Sequence, residues 1–380
     1  MVPTPTGVTV SKLRIALIGS RGIPANYGGY ETLMEELSTR LVQRGHRVTV
    51  YCRSHYTSSD LAEHRGVELV VLPTLRTKHL DTPVHTFLSC LHAAQRDFDV
   101  ALVVNSANAM FVPLLKAAEI PVALHVDGVE RHRAKWGPMG RTVYRLAERW
   151  ATHLPDLLIT DAEVVRRYYL DRFDTDSRVI TYGAESGLEP PGETMRQLGL
   201  QPGGYFLYVS RFEPENNPHR VVEAYAAVGG EAPLVMVGGA PYADKFIHIV
   251  ENSADRRVLF PGFVYGRGYR ELLSNPLAYV HATEVGGTHP ALVEAMACGN
   301  CILVNETPEN REVVDEAGIY FSAGSPTTLV AALERVLADP ELSRSISRLA
   351  RERATKLFDW DRVSDRYEDL FLDLAELKSL

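Results

Sequence analysis

The sequence predicts an α/β protein made of two doubly wound, Rossmann-like domains. Three observations predict it. Apolar, strand-like runs alternate with amphipathic helical segments along the chain, a stretch rich in Gly and Pro interrupts them after Tyr182, and a second such series then begins. With 380 residues the chain is long enough for two ordinary cores. The boundaries fall at 1–185, 186–357 and a tail of 358–380.

The elements follow in order. "LRIALIG" (13–19) is a continuous apolar run ended by Gly, as in a strand covered on both faces. In "ETLMEELSTRLVQRG", Leu33, Met34, Leu37 and Leu41 make one helical stripe closed by Gly45, and "HRVTVYC" supplies the next strand. "VELVVLP", "DVALVVNS", "PVALHVDG", "DLLITDA" and "SRVITYG" continue the series. "GAESGLEPPGETMRQLGLQPGG" reads as the linker. Beyond it come "YFLYVSR", a helix from near Pro218, "PLVMVGG", "RVLFPGFV", "AYVHAT", a helix over 290–298 and "CILVNE". The tail "FDWDRVSDRYEDLFLDLAEL" places Trp360, Val363, Tyr367, Leu370 and Phe371 along one side of a helix, which is expected to return and brace the first domain.

Composition narrows the function. A formal net charge of -8 argues against a general nucleic-acid binder, whose affinity rests on neutralising phosphates. The opening "MVPTPTGVTVS" lacks a positive n-region and an apolar core, so it reads as a loose tail and not a signal peptide. No run approaches the roughly 20 apolar residues that span a bilayer. The expectation is a cytoplasmic protein, attached at most peripherally to the inner membrane face. Cys52, Cys90, Cys298 and Cys301 are too scattered for a disulfide framework, and the C-x-x-C of Cys298 and Cys301 has no second ligand pair for zinc. They read as reduced thiols, with no metal site.

Two glycine-rich loops precede helices. Gly28 and Gly29 stand before the first, in "GSRGIPANYGGYETL", and Gly286, Gly287 and Thr288 stand before Pro290 in "GGTHPALVEAM". Open amides and the helix dipole suit such places to an anion, and a diphosphate fits. A dinucleotide dehydrogenase is disfavoured, because "GSRG" is not G-x-G-x-x-G and the second strand ends in Arg53 where a ribose-binding acid is expected. Arg211, leaving a strand end in "YVSRFEPENNP", can pair bidentately with phosphate oxygens. Asp127, in "HVDGVE", sits at a strand's carboxyl end and can orient or deprotonate a hydroxyl; Glu130 is close, and His125 is more simply read as packed. From Arg131 to Arg149 the chain is rich in Arg. Arg141, Arg145 and Arg149 recur every fourth residue, with Val143, Leu146, Ala147 and Trp150 on an apolar side, which suits either a membrane surface or a solvated helix.

Taken together, "GIPANYGGYET", "HVDGVERHRAKW", "EPENN" and "GGTHPALVEAM" resemble the nucleotide-sugar-dependent glycosyltransferases of family 4, with the GT-B fold. Within that family these motifs resemble the branch that holds bacterial rhamnosyltransferases of polysaccharide assembly, with an N-terminal domain of a domain-of-unknown-function type. The resemblance implies that Glu294 meets the nucleotide ribose as the second acid of a Glu-x7-Glu motif. The first acid falls at Gly286 and is missing, while Glu284 lies two residues early. Arg211 matches the family's phosphate-binding Arg, but Asn216 stands at the position of its Lys, leaving Arg21 or His289 to supply the charge. The diphosphate site is then Gly28, Gly29, Arg211, Asn216, Gly287 and Thr288. The sugar is expected at Thr288, His289, Pro290 and Ala291, the base at Gly262, Phe263 and Val264, and the acceptor at Asn26, Tyr27, Glu130 and Arg131.

The expected reaction is retaining, metal-independent transfer of a 6-deoxyhexose, L-rhamnose from dTDP-rhamnose, to a lipid-linked sugar, with Asp127 and Arg211 as catalytic groups and no cofactor beyond the donor. A UDP-glucose or UDP-N-acetylglucosamine transferase is the runner-up. A nucleotide-sugar epimerase of the same fold and a non-catalytic nucleotide-sugar sensor are the remaining alternatives.

Overall fold

β1 (Arg14–Ile18) forms from the first apolar run, and β2 (Arg47–Arg53) follows the helix Gly29–Gln43. Leu33, Met34, Leu37 and Leu41 of that helix are buried, as their spacing requires. Then come β3 (Glu63–His64), β4 (Val67–Leu72), β5 (Val100–Val104), β6 (Val122–Val126), β7 (Leu157–Thr160) and β8 (Arg178–Val179). The first sheet has the order β3-β4-β2-β1-β5-β6-β7-β8, with β3 antiparallel to β4. The computed structural model describes residues 12–25, 28–77, 80–133, 136–240 and 244–377. The opening tail, Asn26 and Tyr27 therefore lie outside the described residues.

The second sheet contains β9 (Phe206–Val209), β10 (Leu234–Val237), β11 (Val258–Gly262), β12 (Ala278–His281), β13 (Ile302–Asn305) and β14 (Ile319–Phe321). Its order is β11-β10-β9-β12-β13-β14, parallel throughout. This is the doubly wound order of a Rossmann sheet, and β4-β2-β1-β5-β6-β7 repeats it in the first. Such sheets bind ligands beyond the strands' carboxyl ends where the winding reverses, here between β9 and β12. The helix Pro290–Ala297 begins just after β12.

Contacts divide the chain into two compact units. The first runs through His125 and includes Ala147–Leu158 and the chain from Ser364 on; the second holds Val126–Leu146 and Ile159–Val363. In the first, Tyr367 of the closing helix Trp360–Leu377 shares a 2.6 Å hydrogen bond with His125 Nδ1, and Glu368 accepts from Arg44 at 2.6 Å and lies 2.9 Å from His46. The apolar residues expected on one side of this helix are all buried.

Two local expectations change. "SRVITYG" keeps only two strand residues, because the chain then turns to the tail: the Ala184 amide donates to the Phe358 carbonyl at 2.6 Å, and Gly183 leaves no room for a Cβ beneath the Trp360 ring. The linker is not free chain. It contains the helix Glu193–Gln197, whose leading amides, Gly192 and Met195, both donate to Glu271 Oε1 at 2.7 Å.

Candidate functional site

Arg211 stands two residues beyond β9, in a loop built by its neighbours. Asn216 donates its side-chain amide to the Arg211 carbonyl at 2.7 Å, and the Tyr208 hydroxyl donates to the Asn216 carbonyl at 2.7 Å. Asn217, at a φ of 56°, donates to the Ala282 carbonyl at 2.9 Å, tying this loop to the end of β12. Asn216 thus holds the backbone that carries Arg211.

The Gly286–His289 loop leaves β12 next door. Gly286 has a φ of 153°, and a Cβ there would collide with the His289 imidazole. Gly287 leaves the same kind of space to the Asp161 carboxylate. Gly128, beside Asp127 and at a φ of 80°, would put a Cβ 2.9 Å from the Gly286 Cα. Three glycines therefore mark where "VDGV" and "GGTHP" approach backbone to backbone. A side-chain acid at position 286 fits neither the backbone nor the space, which accounts physically for its absence.

No local motif marks Asp161, yet it grips this loop. Its Oδ2 accepts from the Thr288 amide at 2.8 Å, and its carbonyl accepts from the Thr288 hydroxyl at 2.6 Å. Its Oδ1 has no hydrogen-bond partner among the described residues. Burial, and then the negative charge of Asp127, hold its carboxyl well above the usual carboxylate range. The amide expected to meet a phosphate is thus engaged by an acid of the same chain. Pro290 brings no amide to the helix, so Ala291 carries its first one.

His289 and His281 lie with ring centroids 4.8 Å apart. Burial pushes His281 down to about 3 and His289 well below its ordinary value, the latter helped by His281, Arg133 and Arg211. His289 is neutral in this arrangement and offers a hydrogen bond, not the formal charge expected of it. Arg21 and the Gly28–Gly29 turn belong to the first unit, where Gly28 caps its helix. There the first-turn Glu31 accepts from the Arg21 amide at 2.8 Å, so this helix start already holds a carboxylate.

Arg133, which no motif marks for this site, is buried 2.8 Å from Glu130 and 3.9 Å from Glu213. Burial alone would lower its pKa, but Glu130, Asp127, Glu213 and Glu215 outweigh it and raise it. Glu130 additionally accepts from Trp136 Nε1 at 3.2 Å, and Arg131 lies 5.5 Å over the Tyr168 ring. On the helix behind the glycine loop, Glu294 accepts from the Tyr269 hydroxyl at 2.5 Å, and burial with that charge lifts Tyr269 well above its ordinary pKa. Beyond β10 and β11 lies a cavity of about 300 Å³, lined by Phe212, Gly238, Gly239, Phe260, Gly262 and Phe263. Phe263 and Tyr265 stack at its side with centroids 5.9 Å apart, and Val264 lies between them in sequence.

Residues 193–353 match the family of glycosyl transferases group 1. The protein is a glycosyltransferase. Residues 12–185 of this glycosyltransferase match a second family, a domain of unknown function called DUF1972. Its chain is 23% identical to glycogen synthase of Mycobacterium tuberculosis, over 95% of this chain and 94% of the relative. Among solved structures it resembles sucrose-phosphate synthase from Thermosynechococcus elongatus at a TM-score of 0.82, with 20% identity over 96% of this chain and 99% of that one. It also resembles Anabaena HepE in complex with UDP-glucose, at a TM-score of 0.78 and 17% identity over 95% of this chain and 100% of the other. These likenesses place the glycosyltransferase in the GT-B fold.

Proposed function

We propose that this glycosyltransferase moves a 6-deoxyhexose, L-rhamnose carried on dTDP, to a hydroxyl of a lipid-linked sugar in cell-surface polysaccharide synthesis, with retention of configuration and without a metal. The observation that carries the reading is the glycine loop before Pro290, set beside the Arg211 loop where the second sheet's winding reverses. Residues 186–357 are the donor-binding part of this reading, and 1–185 the acceptor part.

Arg211 and the amides about Gly287 to Ala291 meet the negative charge that grows on the diphosphate as it leaves. For the Thr288 amide to join them, it exchanges Asp161 for a phosphate oxygen. Glu294, aligned by Tyr269, accepts from a ribose hydroxyl, and the cavity beside Gly262, Phe263 and Val264 receives the base. In the transfer, the bond from the sugar's C1 to the phosphate oxygen breaks and a bond from C1 to the acceptor oxygen forms on the same face. The acceptor proton passes to the departing phosphate oxygen, and Asp127 orients the acceptor.

The Gly286 site supports the deoxy sugar: without a carboxylate there, fewer acceptors face the sugar's hydroxyls. A second reading, transfer from UDP-glucose or UDP-N-acetylglucosamine, is favoured by the glucose named in the HepE complex. A thermal-shift panel of UDP, dTDP and GDP sugars separates the two. Stabilisation by dTDP-rhamnose and not by UDP-glucose supports the first reading, the reverse supports the second, and a shift with none of them removes the donor site.

A further inference from the structure

The helix Pro138–Ala151 hides its small and aromatic side and leaves larger apolar side chains outside. Ala147, Ala151 and Tyr144 are buried, whereas Met139 is 82% exposed, Val143 52%, Leu146 49% and Trp150 37%. These four follow the spacing i, i+4, i+7, i+11. At about 100° per residue they fall within an arc of about 60°, a continuous apolar ridge. Arg149 and Arg145 lie about 90° and 130° round the helix from the ridge, and Arg141 continues their row to the far side, all three exposed. The helix has one acid, Glu148, and it is buried, so its outer face carries only positive charge.

A solvated helix face needs no ridge of this kind, and an exposed apolar stripe beside a basic row is the pattern of a helix lying in a bilayer interface. The whole protein carries a net charge of -8, which anionic lipid repels. A local cluster prevails because charges beyond about 8 Å are screened at physiological salt. We infer that this helix lies on an anionic phospholipid surface, with Met139, Val143, Leu146 and Trp150 entering the acyl boundary and Arg149 and Arg145 reaching headgroup phosphates from its flank. The inference rests on the lipid-linked acceptor proposed above and gives that acceptor's surface a docking site on this chain.

The test is co-sedimentation of the full chain with vesicles of phosphatidylcholine alone or with one-third phosphatidylglycerol. The wild type is expected to bind the anionic vesicles and not the neutral ones, and to release at high salt. Each of Arg145→Gln and Arg149→Gln is expected to weaken binding about fivefold, from the usual contribution of one basic residue near an anionic surface. The double variant Val143→Ser/Leu146→Ser is expected to weaken it by tenfold or more. Unaltered thermal melting and unaltered release of nucleoside diphosphate with a water-soluble acceptor show that fold and transfer survive, so loss of docking is read separately from loss of transfer. Equal binding to both vesicles, unchanged binding by the variants, or a dimer in light scattering that Val143→Ser/Leu146→Ser dissolves would each overturn the inference.

Discussion

Gly286 shows how one residue sets what its loop can carry. Its φ of 153° and the imidazole over it exclude a side chain, so Gly286→Glu is expected to displace His289 and destabilise the fold, not to restore a sugar-binding acid. A drop in melting temperature without a gain in donor affinity is the outcome to look for. Asp161 makes a pH-dependent contribution of definite sign. Its folded pKa is raised, so the native state holds the proton more tightly, and stability is lost as pH rises from the ordinary carboxylate range through the folded value. Asp161→Asn keeps an oxygen for the Thr288 amide and cannot ionise. The variant should melt above the wild type, by a margin that widens as pH rises from the acid side, and a constant margin would count against a buried, titrating Asp161. The missing acid at Gly286 was legible in the chain, but not its steric cause or the grip of Asp161, which lies 127 residues from Thr288 with no local pattern to pair them.

Elements were more legible, because each follows from short-range periodicity. Continuous apolar runs became strands, β5 and β6 buried throughout, and the 290–298 segment became the helix Pro290–Ala297 with Pro at its first position. The short strand β3 carried no signal, having two residues and no apolar run. One apolar stripe makes the closing helix legible, but its polar contacts with His125, Arg44 and His46 follow from no such pattern. Tyr367→Phe removes the hydroxyl bonded to the buried His125 and is expected to cost about 1–3 kcal/mol in urea unfolding. Phe371→Ala, in the core of the same helix, is expected to cost about 3–5 kcal/mol. If both changes fall within experimental error of zero, the helix does not brace the first unit.

For the whole molecule, the doubling of strand and helix along the chain foretold both sheets, and their order places the Arg211 loop and the glycine loop together at one switch point. What sequence could not give was the set of groups that converge there from distant segments, Arg133 with Glu213 and Asp161 with Thr288 among them. Nor could it show which side of the basic helix faces out, since that depends on what packs against it. The central claim is that a nucleoside diphosphate sugar is held beyond β9 and β12 by Arg211 and Glu294. Isothermal titration of dTDP and UDP into the wild type, Arg211→Ala and Glu294→Gln tests it most directly. The account predicts saturable binding to the wild type and a loss of about tenfold or more in each variant, as expected for a charged hydrogen bond; equal affinity in all three proteins would contradict it.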